Sequence, residues 1–367
     1  MKKPLILAFK LRANKEFAYL LPIVMNSDLN ITPANGPRLY PIELQYEPRV
    51  ISGFRPTVEP HLGLHSGVLQ HIVNEQNRHP GGNYCLIADW HATTMWFGRA
   101  NMQEATLTTA AALLALGVNP YKTLLCAQSH LSGLGEMAWL LSCMTPESLL
   151  LRNPVSPGSA LNKNNIGAIL YPVLMAADVL SLRGTKIVIP RDQIINCRKV
   201  RQIGRAANHM LGTPLFPIPA VEVRGGVVPG IDGNRMDWER RNHISMFLSP
   251  SELRRRIQLI QTDSSGIKDP KNPETCTVFR LYSLVAPPQR VREMHERYLL
   301  GAIGYEDAKA ELAIAIAERY SLAREHFEDW KNRPDDLRDI LRAGAKAISM
   351  EVKASLALVR EKLGLDL

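Results

Sequence analysis

YCLIADWHA, residues 84–92, is an apolar run that turns polar at its C-terminal end, and the same design recurs in KTLLCAQSH (122–130) and KIVIPRDQ (186–193). A shorter apolar run, VISGF, occupies 50–54. Between these runs lie stretches with helical spacing: HLGLHSGVLQHIVNEQN (61–77) and ATLTTAAALLALG (105–117), the second closed by Gly117. Strands alternating with helices predict an α/β fold, a parallel sheet covered on both faces. Ligands of such sheets sit at the carboxyl ends of the strands. Asp89, His91, Gln128, Ser129, His130, Asp192 and Gln193 fall there.

Past Pro250 the pattern becomes helical. SELRRRIQLIQ (251–261), YEDAKAELAIAIAERYSLAREHFEDW (305–330) and DDLRDILRAGAKAISMEVKASLALVREKLG (335–364) repeat apolar residues every three or four positions. Pro334, Asp335 and Asp336 mark a helix start. The expected organisation is a lead-in over 1–47, a Rossmann-type domain over 48–247 and a helical domain over 248–367.

The chain has 367 residues, 46% of them hydrophobic, and a net charge of +9. No apolar run is long enough to span a bilayer. MKKPLILAFKLRANK opens like a signal peptide, but Lys10 and Arg12 cut the apolar stretch short and no small-residue cleavage site follows, so a strand or extended arm is expected. Five scattered cysteines without metal-ligand spacing suit reduced thiols, no resident metal and a cytoplasmic setting. The charge fits either solubility alone or a polyanionic partner. Clustering of Arg198, Lys199, Arg201 and Arg205, and of Arg254, Arg255 and Arg256, tilts toward nucleic acid.

Two segments carry the chemistry. PGIDGNRMDWERRNHISMF (229–247) has the frame of a phosphate-gripping loop: a glycine-rich turn, basic residues, then an apolar stretch. SGFRPTVEPHLGLHSGVL (52–69) is its upstream counterpart. Together they resemble the HIGH and KMSKS signatures of class I aminoacyl-tRNA synthetases, as His61-Leu62-Gly63-Leu64 and Arg235-Met236-Asp237-Trp238-Glu239. From about Val50 to its end the chain is similar to the bacterial-type tryptophanyl-tRNA synthetase family. LIADWHATT (86–94) resembles that family's ADxHAxT, AQSHLSGLGEMAWLL (127–141) its QSHVxEHxxLxWxL, and ILYPVLMAADVL (169–180) its YPxLMAADIL. IVIPRDQ (187–193) partly matches VGEDQ, FPIP (216–219) matches FPxP, and TDSSGIKDPKNPETCTVFRLYSLV (262–285) resembles the entry to the helical domain.

The resemblance implies a tryptophan pocket. Asp178 would accept the indole N–H, a group that only donates, and a buried acceptor would be left unpaired by phenylalanine. Met175 would pack on the ring, Tyr171 and Gln193 would hold the amino and carboxylate groups, and His91 and Ile51 would line the pocket. The bland alternative is an apolar helix with one acid. Arg55, Thr57, Leu64, Pro190, Asp192 and Met236 would meet the nucleotide, and His61, Gly63, Arg235 and Trp238 would occupy the catalytic positions for ATP and its Mg2+.

Several of these depart from the family pattern. Arg55 stands for Gln, Leu64 for a polar residue, Pro190 for the glycine that admits the ribose, and Asp237, Trp238 and Glu239 for Ser, Lys and Ser. A lysine aimed at developing charge is worth about 3–4 kcal/mol by analogy with other fixed donors, so its loss would slow activation roughly a hundredfold to a thousandfold. Arg235, Arg240 and Arg241 offer partial compensation. The loop is either a decayed, solvated turn or a site remodelled for another use. The implied partners are L-tryptophan, tRNA for tryptophan or its charged form, and a second copy in a homodimer. Trp139, Leu140, Leu141 and Met144 are the expected apolar pairing surface. Three functions stay open: a working tryptophan–tRNA ligase, a paralogue that uses tryptophan or Trp-tRNA in specialised metabolism, and a non-catalytic regulatory binder. Some relatives carry an iron–sulfur cluster in the helical domain, which Cys276 alone cannot ligate.

Overall fold

Five short strands form one parallel sheet in the computed structural model: β1 (Val50–Phe54), β2 (Asn83–Ile87), β3 (Thr123–Ala127), β4 (Lys186–Ile189) and β5 (Ala220–Val223). The structure describes residues 48–56, 60–64, 68–79, 81–96, 101–151, 165–238 and 240–365. The lead-in over 1–47, Thr57 and Glu239 lie outside them, as does the side chain of Leu64. The strand order is β3-β2-β1-β4-β5, so the chain builds outward from β1 in one direction and then in the other. The switch falls between β1 and β4, where the loops leaving two adjacent strands diverge and open a crevice.

The strands are apolar because both faces are covered. Side chains alternate between the faces. Val50, Cys85, Ile87, Leu125 and Val188 enter one core, and Ile51, Tyr84, Leu86, Cys126, Ile187 and Ile189 the other. The helices before β4 are α1 (Leu62–Leu64), α2 (Gln70–Arg78), α3 (Asp89–Trp96), α4 (Met102–Ala115), α5 (Leu134–Cys143), α6 (Glu147–Leu151) and α7 (Ile166–Leu180). After β4 come α8 (Ile194–Met210), α9 (Pro250–Gln258), α10 (Thr277–Val285), α11 (Pro288–Leu299), α12 (Tyr305–Arg319), α13 (Ser321–Lys331) and α14 (Pro334–Leu363). Asn101 caps α4 through the Glu104 N–H, and the left-handed Gly117 follows its end. Ser249 and Glu252 form a capping box on α9. The periodic stretch 305–330 is broken at Tyr320, whose ring is buried in the core.

Two readings of the sequence need correction. Leu140, Leu141 and Met144 are buried inside the molecule, and of the expected pairing residues only Trp139, 68% exposed, faces outward. Met137, Leu140, Leu141 and Met144 are spaced as one helical face, and that face packs inward. Of the basic cluster on α8, Arg198 and Arg205 are exposed, but Lys199 does not belong to a surface patch. Lys199 is buried and donates its Nζ to the Leu150 carbonyl at 2.9 Å. All five cysteines are unpaired, and among the described residues no helix is long and apolar enough to cross a membrane.

The final helix binds the helical part to the sheet. Leu337 and Leu341 of α14 join one core, and Ala345, Ile348, Val352, Leu356 and Val359 join the other. Its closest approach is at Gly344, where a Cβ would stand 2.0 Å from the Leu125 carbonyl oxygen of β3. The helix therefore covers the edge strand, which would otherwise offer an unpaired ladder. Tyr84 of β2 donates its hydroxyl to Glu351 at 3.0 Å, and Arg49 pairs with the same carboxylate.

Gly344→Ala should lower stability by about 1–3 kcal/mol, the usual cost of overpacking, although alanine is the better helix former by roughly 1 kcal/mol. A urea midpoint equal to that of the unaltered protein would show that α14 does not press on β3.

Candidate functional site

The crevice at the sheet switch is a cavity of about 270 Å³. The carboxyl ends of β1 and β4, the inner face of α7, and the loops carrying residues 226–228 and 235–238 enclose it. Ile51, Arg55, His61, Gly63, His91, Tyr171, Met175, Asp178, Pro190, Asp192, Gln193, Arg235, Met236 and Trp238 all line it. Fourteen of the sixteen residues singled out from sequence thus meet in one place; Thr57 and the Leu64 side chain are the two outside the described residues.

One half is closed and buried. Asn165 caps α7 by accepting from the Ala168 N–H. Tyr171, Met175 and Asp178 follow at spacings of four and three, on one helical face. Gln128, at the end of β3, donates its amide to both oxygens of Asp178, at 2.7 and 2.9 Å. The other end of that amide accepts from the His91 backbone N–H at 3.3 Å and lies 3.1 Å from His91 Nδ1. The His91 ring meets Tyr171 edge-on, 4.3 Å between centroids. Burial pushes the Asp178 carboxyl up to about 8, against the pull of the Gln128 donor, and pulls the His91 imidazole down to about 4. Asp178 is a held hydrogen-bond acceptor at the wall of an apolar slot. Sequence reading placed Gln128 at a strand end but missed its role, because its partner lies fifty residues away and no local pattern links them.

The other half is open and charged. Arg235 pairs with Asp192 at 2.9 Å, both partly exposed. Met236 is buried and its N–H donates to the Val228 carbonyl, which seats the 235–238 segment on the loop beside it. Asn242 holds that segment from behind. Its side chain donates to Asp232 and to the Arg235 carbonyl and accepts from the Asp237 N–H at 2.8 Å, while its carbonyl accepts from the Ile231 N–H. Gly230 is required there, since a Cβ would fall 2.5 Å from the Asn242 side chain. Arg256, read from sequence as part of a basic cluster, donates to the His243 and Arg241 carbonyls and braces the same loop. Nothing in the periodicity of 229–247 reveals Asn242 as the organiser.

The two signature segments are joined directly. His61 bridges to Ser245, and the Leu62 N–H donates to the Ile244 carbonyl at 3.0 Å. Burial, then His243, pulls the His61 imidazole down to about 4, so it is neutral at neutral pH. His61 Nδ1 is buried and finds no hydrogen-bond partner among the described residues. Gly63 lets the backbone come close, its Cβ position being 3.0 Å from that nitrogen.

A parallel sheet of this order, with its cavity at the switch and two loop signatures converging on it, defines the class I synthetase architecture. The family described as "tRNA synthetases class I (W and Y)" has a model that matches residues 44–321. A tryptophan–tRNA ligase of Fusobacterium nucleatum is 31% identical over 324 residues, covering 86% of this chain and 98% of the relative. That of Rhodopirellula baltica is 34% identical over 312 residues, covering 84% and 96%. The crystal structure of tryptophanyl-tRNA synthetase from Campylobacter jejuni complexed with ADP and tryptophan superposes with a TM-score of 0.76 at 31% identity, over 86% of this chain and all of that one. The chain belongs to the tryptophanyl-tRNA synthetase family, with an α/β Rossmann-type catalytic domain and a helical C-terminal part.

The Gln128–Asp178 contact has a pH signature. Because burial raises the carboxyl, the folded state holds its proton up to about pH 8, so Asp178 lowers stability progressively as pH rises through that window. Gln128→Leu removes the donor to the ionised form, worth about 1.5–3 kcal/mol, while at pH 5 only a neutral bond of about 0.5–1.5 kcal/mol is lost. The stability deficit of the variant should therefore be larger at pH 9 than at pH 5. Equal deficits at the two pH values would show that Gln128 does not stabilise a carboxylate there.

Proposed function

We propose that this protein binds L-tryptophan and tRNA, and that its ATP-dependent activation of tryptophan is strongly weakened. The indole N–H donates to Asp178, the ring lies against Met175 between Ile51 and His91, and Tyr171 and Gln193 take the amino and carboxylate groups. Residues 48–247 carry this site and residues 248–367 serve tRNA. The protein works in the cytoplasm as a homodimer; the exposed Trp139 on α5 and Ile166 on α7 supply apolar surface for pairing.

The observation that carries the weakened activation is the lining of the nucleotide half. Among the described residues no lysine faces the cavity, and Trp238 stands at the position expected for it, with Asp237 before it. The cations lining it are Arg55, Arg191 and Arg235, and Arg235 is engaged with Asp192. That ion pair is half-exposed and worth at most about 1 kcal/mol, so a triphosphate can displace it. The larger deficit is the missing lysine, about 3–4 kcal/mol. Where ATP binds, Arg55 and Arg235 meet its phosphates. The Mg2+ that accompanies ATP would be held chiefly through the triphosphate oxygens; among the described residues no cluster of three His, Cys, Asp or Glu groups offers a separate metal site.

The same observation favours a second reading, in which the protein does not activate tryptophan at all. It would then use tryptophan or Trp-tRNA for aminoacyl transfer in specialised metabolism, or as a regulatory binder. Exchange of labelled pyrophosphate into ATP at saturating tryptophan separates the readings. Exchange should be at least about a hundredfold below an ordinary turnover of roughly 1–10 per second. Trp238→Lys should raise it if weak activation survives, and leave it at zero if the protein never activates. Ordinary turnover in the unaltered protein would show that the arginines replace the lysine.

Tryptophan binding is tested separately. Calorimetry should show a clear loss of affinity in Asp178→Ala. Equal affinities would remove Asp178 from the pocket.

A further inference from the structure

α8 turns one face to the core and the opposite one to solvent. Cys197, Val200, Ile203 and Ala207 pack inward. Ile195, Arg198, Gln202, Arg205 and His209 are exposed and follow one another at steps of three or four, so they form a single stripe on the outer face. Arg191, in the turn just before the helix, is exposed as well and lines the open half of the cavity at the sheet switch. The stripe therefore leads away from the mouth of that cavity.

Its charge is not balanced within the molecule. α8 contains no acidic residue. The acid just before it, Asp192, is paired with Arg235. Among the described residues Arg198 and Arg205 form no ion pair. Arg201 lies three residues from one and four from the other, and like charges at those spacings cost a helix about 0.2–0.5 kcal/mol per pair. Arg191 also stands at the N-terminal end of the helix, where the dipole disfavours a cation. An external anion relieves both penalties.

The spacing of the cations selects the kind of anion. Arg198 and Arg205 are seven residues apart, about 10.5 Å along the axis. Any α-helix repeats at that interval, so two carboxylates seven residues apart on a second helix meet both guanidinium groups, as charged pairs do between the flanks of paired helices. A nucleic-acid strand carries a charge about every 3.4 Å of duplex axis, a much denser pattern. Ile195, 41% exposed, lies within the stripe ahead of Arg198. It gives an apolar contact to a helix and nothing to a phosphate.

We propose that the outer face of α8 docks an acidic α-helix of a second protein. Two carboxylates of that helix pair with Arg198 and Arg205, an apolar side chain covers Ile195, and its end lies at Arg191. A chain leaving the docked helix there stands at the open half of the cavity. Docking requires neither bound tryptophan nor tRNA.

The test uses the full chain and the double variant Arg198→Glu/Arg205→Glu. The probes are labelled synthetic helical peptides, followed by fluorescence anisotropy at two salt concentrations. One peptide carries glutamates seven residues apart on one face beside leucines. A second has the same composition with its glutamates spread around the helix, and a third replaces the glutamates of the first by arginines. The unaltered protein should bind the first about tenfold or more tightly than the second, and less tightly as salt rises. The double variant should lose about tenfold or more for the first peptide and should gain the third, a gain that an unfolded α8 would not give. Its urea midpoint should match that of the unaltered protein. Equal affinity for the two acidic peptides, or no binding of either, would overturn the proposal. So would a double variant that does not gain the arginine peptide. A single-stranded RNA oligonucleotide that binds more tightly than the first peptide, and is lost in the double variant, would give the stripe to nucleic acid and overturn it too.

Discussion

The hydrogen bonding of β1 to both β2 and β4 is the constraint on which the rest of the structure depends. Residues 50 and 51 are shared between two parallel partners, so β1 has no free edge and its direction is fixed. The loop leaving β1 carries Arg55, and the loop leaving β4 carries Pro190 to Gln193. They separate because their helices cross to opposite sides of the sheet. The cavity is the space that this separation leaves. Its chemistry follows from which loops border it, and its depth from α7, which brings Asp178 under the ends of both strands.

That single cavity contains two electrostatic regimes. Asp178 is buried, its proton held by low polarity, and the Gln128 amide orients it before any ligand arrives. A donor entering there meets an acceptor that needs no reorganisation, and in such surroundings the bond is stronger than in water. Arg235 and Asp192 sit at the solvent edge, where attraction between charges is screened and an ion pair forms or breaks at little cost. The first half is therefore built to select one ligand. The second holds its charges loosely, and its rigidity comes from Asn242 and the backbone instead.

Much of this was legible in the sequence, for physical reasons. Apolar runs ending in polar residues reveal strands of a covered parallel sheet, and every strand of that kind appears in it. Tyr171, Met175 and Asp178 share a helical face, so their convergence follows from spacing as well as from resemblance. Gln128 and Asn242 act through partners that sequence distance hides, and glutamine or asparagine at a loop carries no periodic signal. One member of each charge cluster misled for a related reason. Lys199 and Arg256 look like surface residues in composition, yet both use their donors on backbone carbonyls. In α5 the error was avoidable, since the three- and four-residue spacing of Met137, Leu140, Leu141 and Met144 already marks them as one inward face, and Trp139 stands off it.

β3 links the parts that sequence reading treated as separate. Its side chains enter both cores, its outer edge is covered by α14 at Gly344, and its carboxyl end supplies Gln128 to the amino-acid pocket. The helical part therefore does not hang from the sheet by a linker. Ser349 of α14 accepts from the Ser132 N–H at 3.0 Å, in the turn that continues from Gln128, the residue that orients Asp178. The turn that places Gln128 and the final helix therefore share one support, the Ser132–Ser349 bond and the packing of α14 on β3.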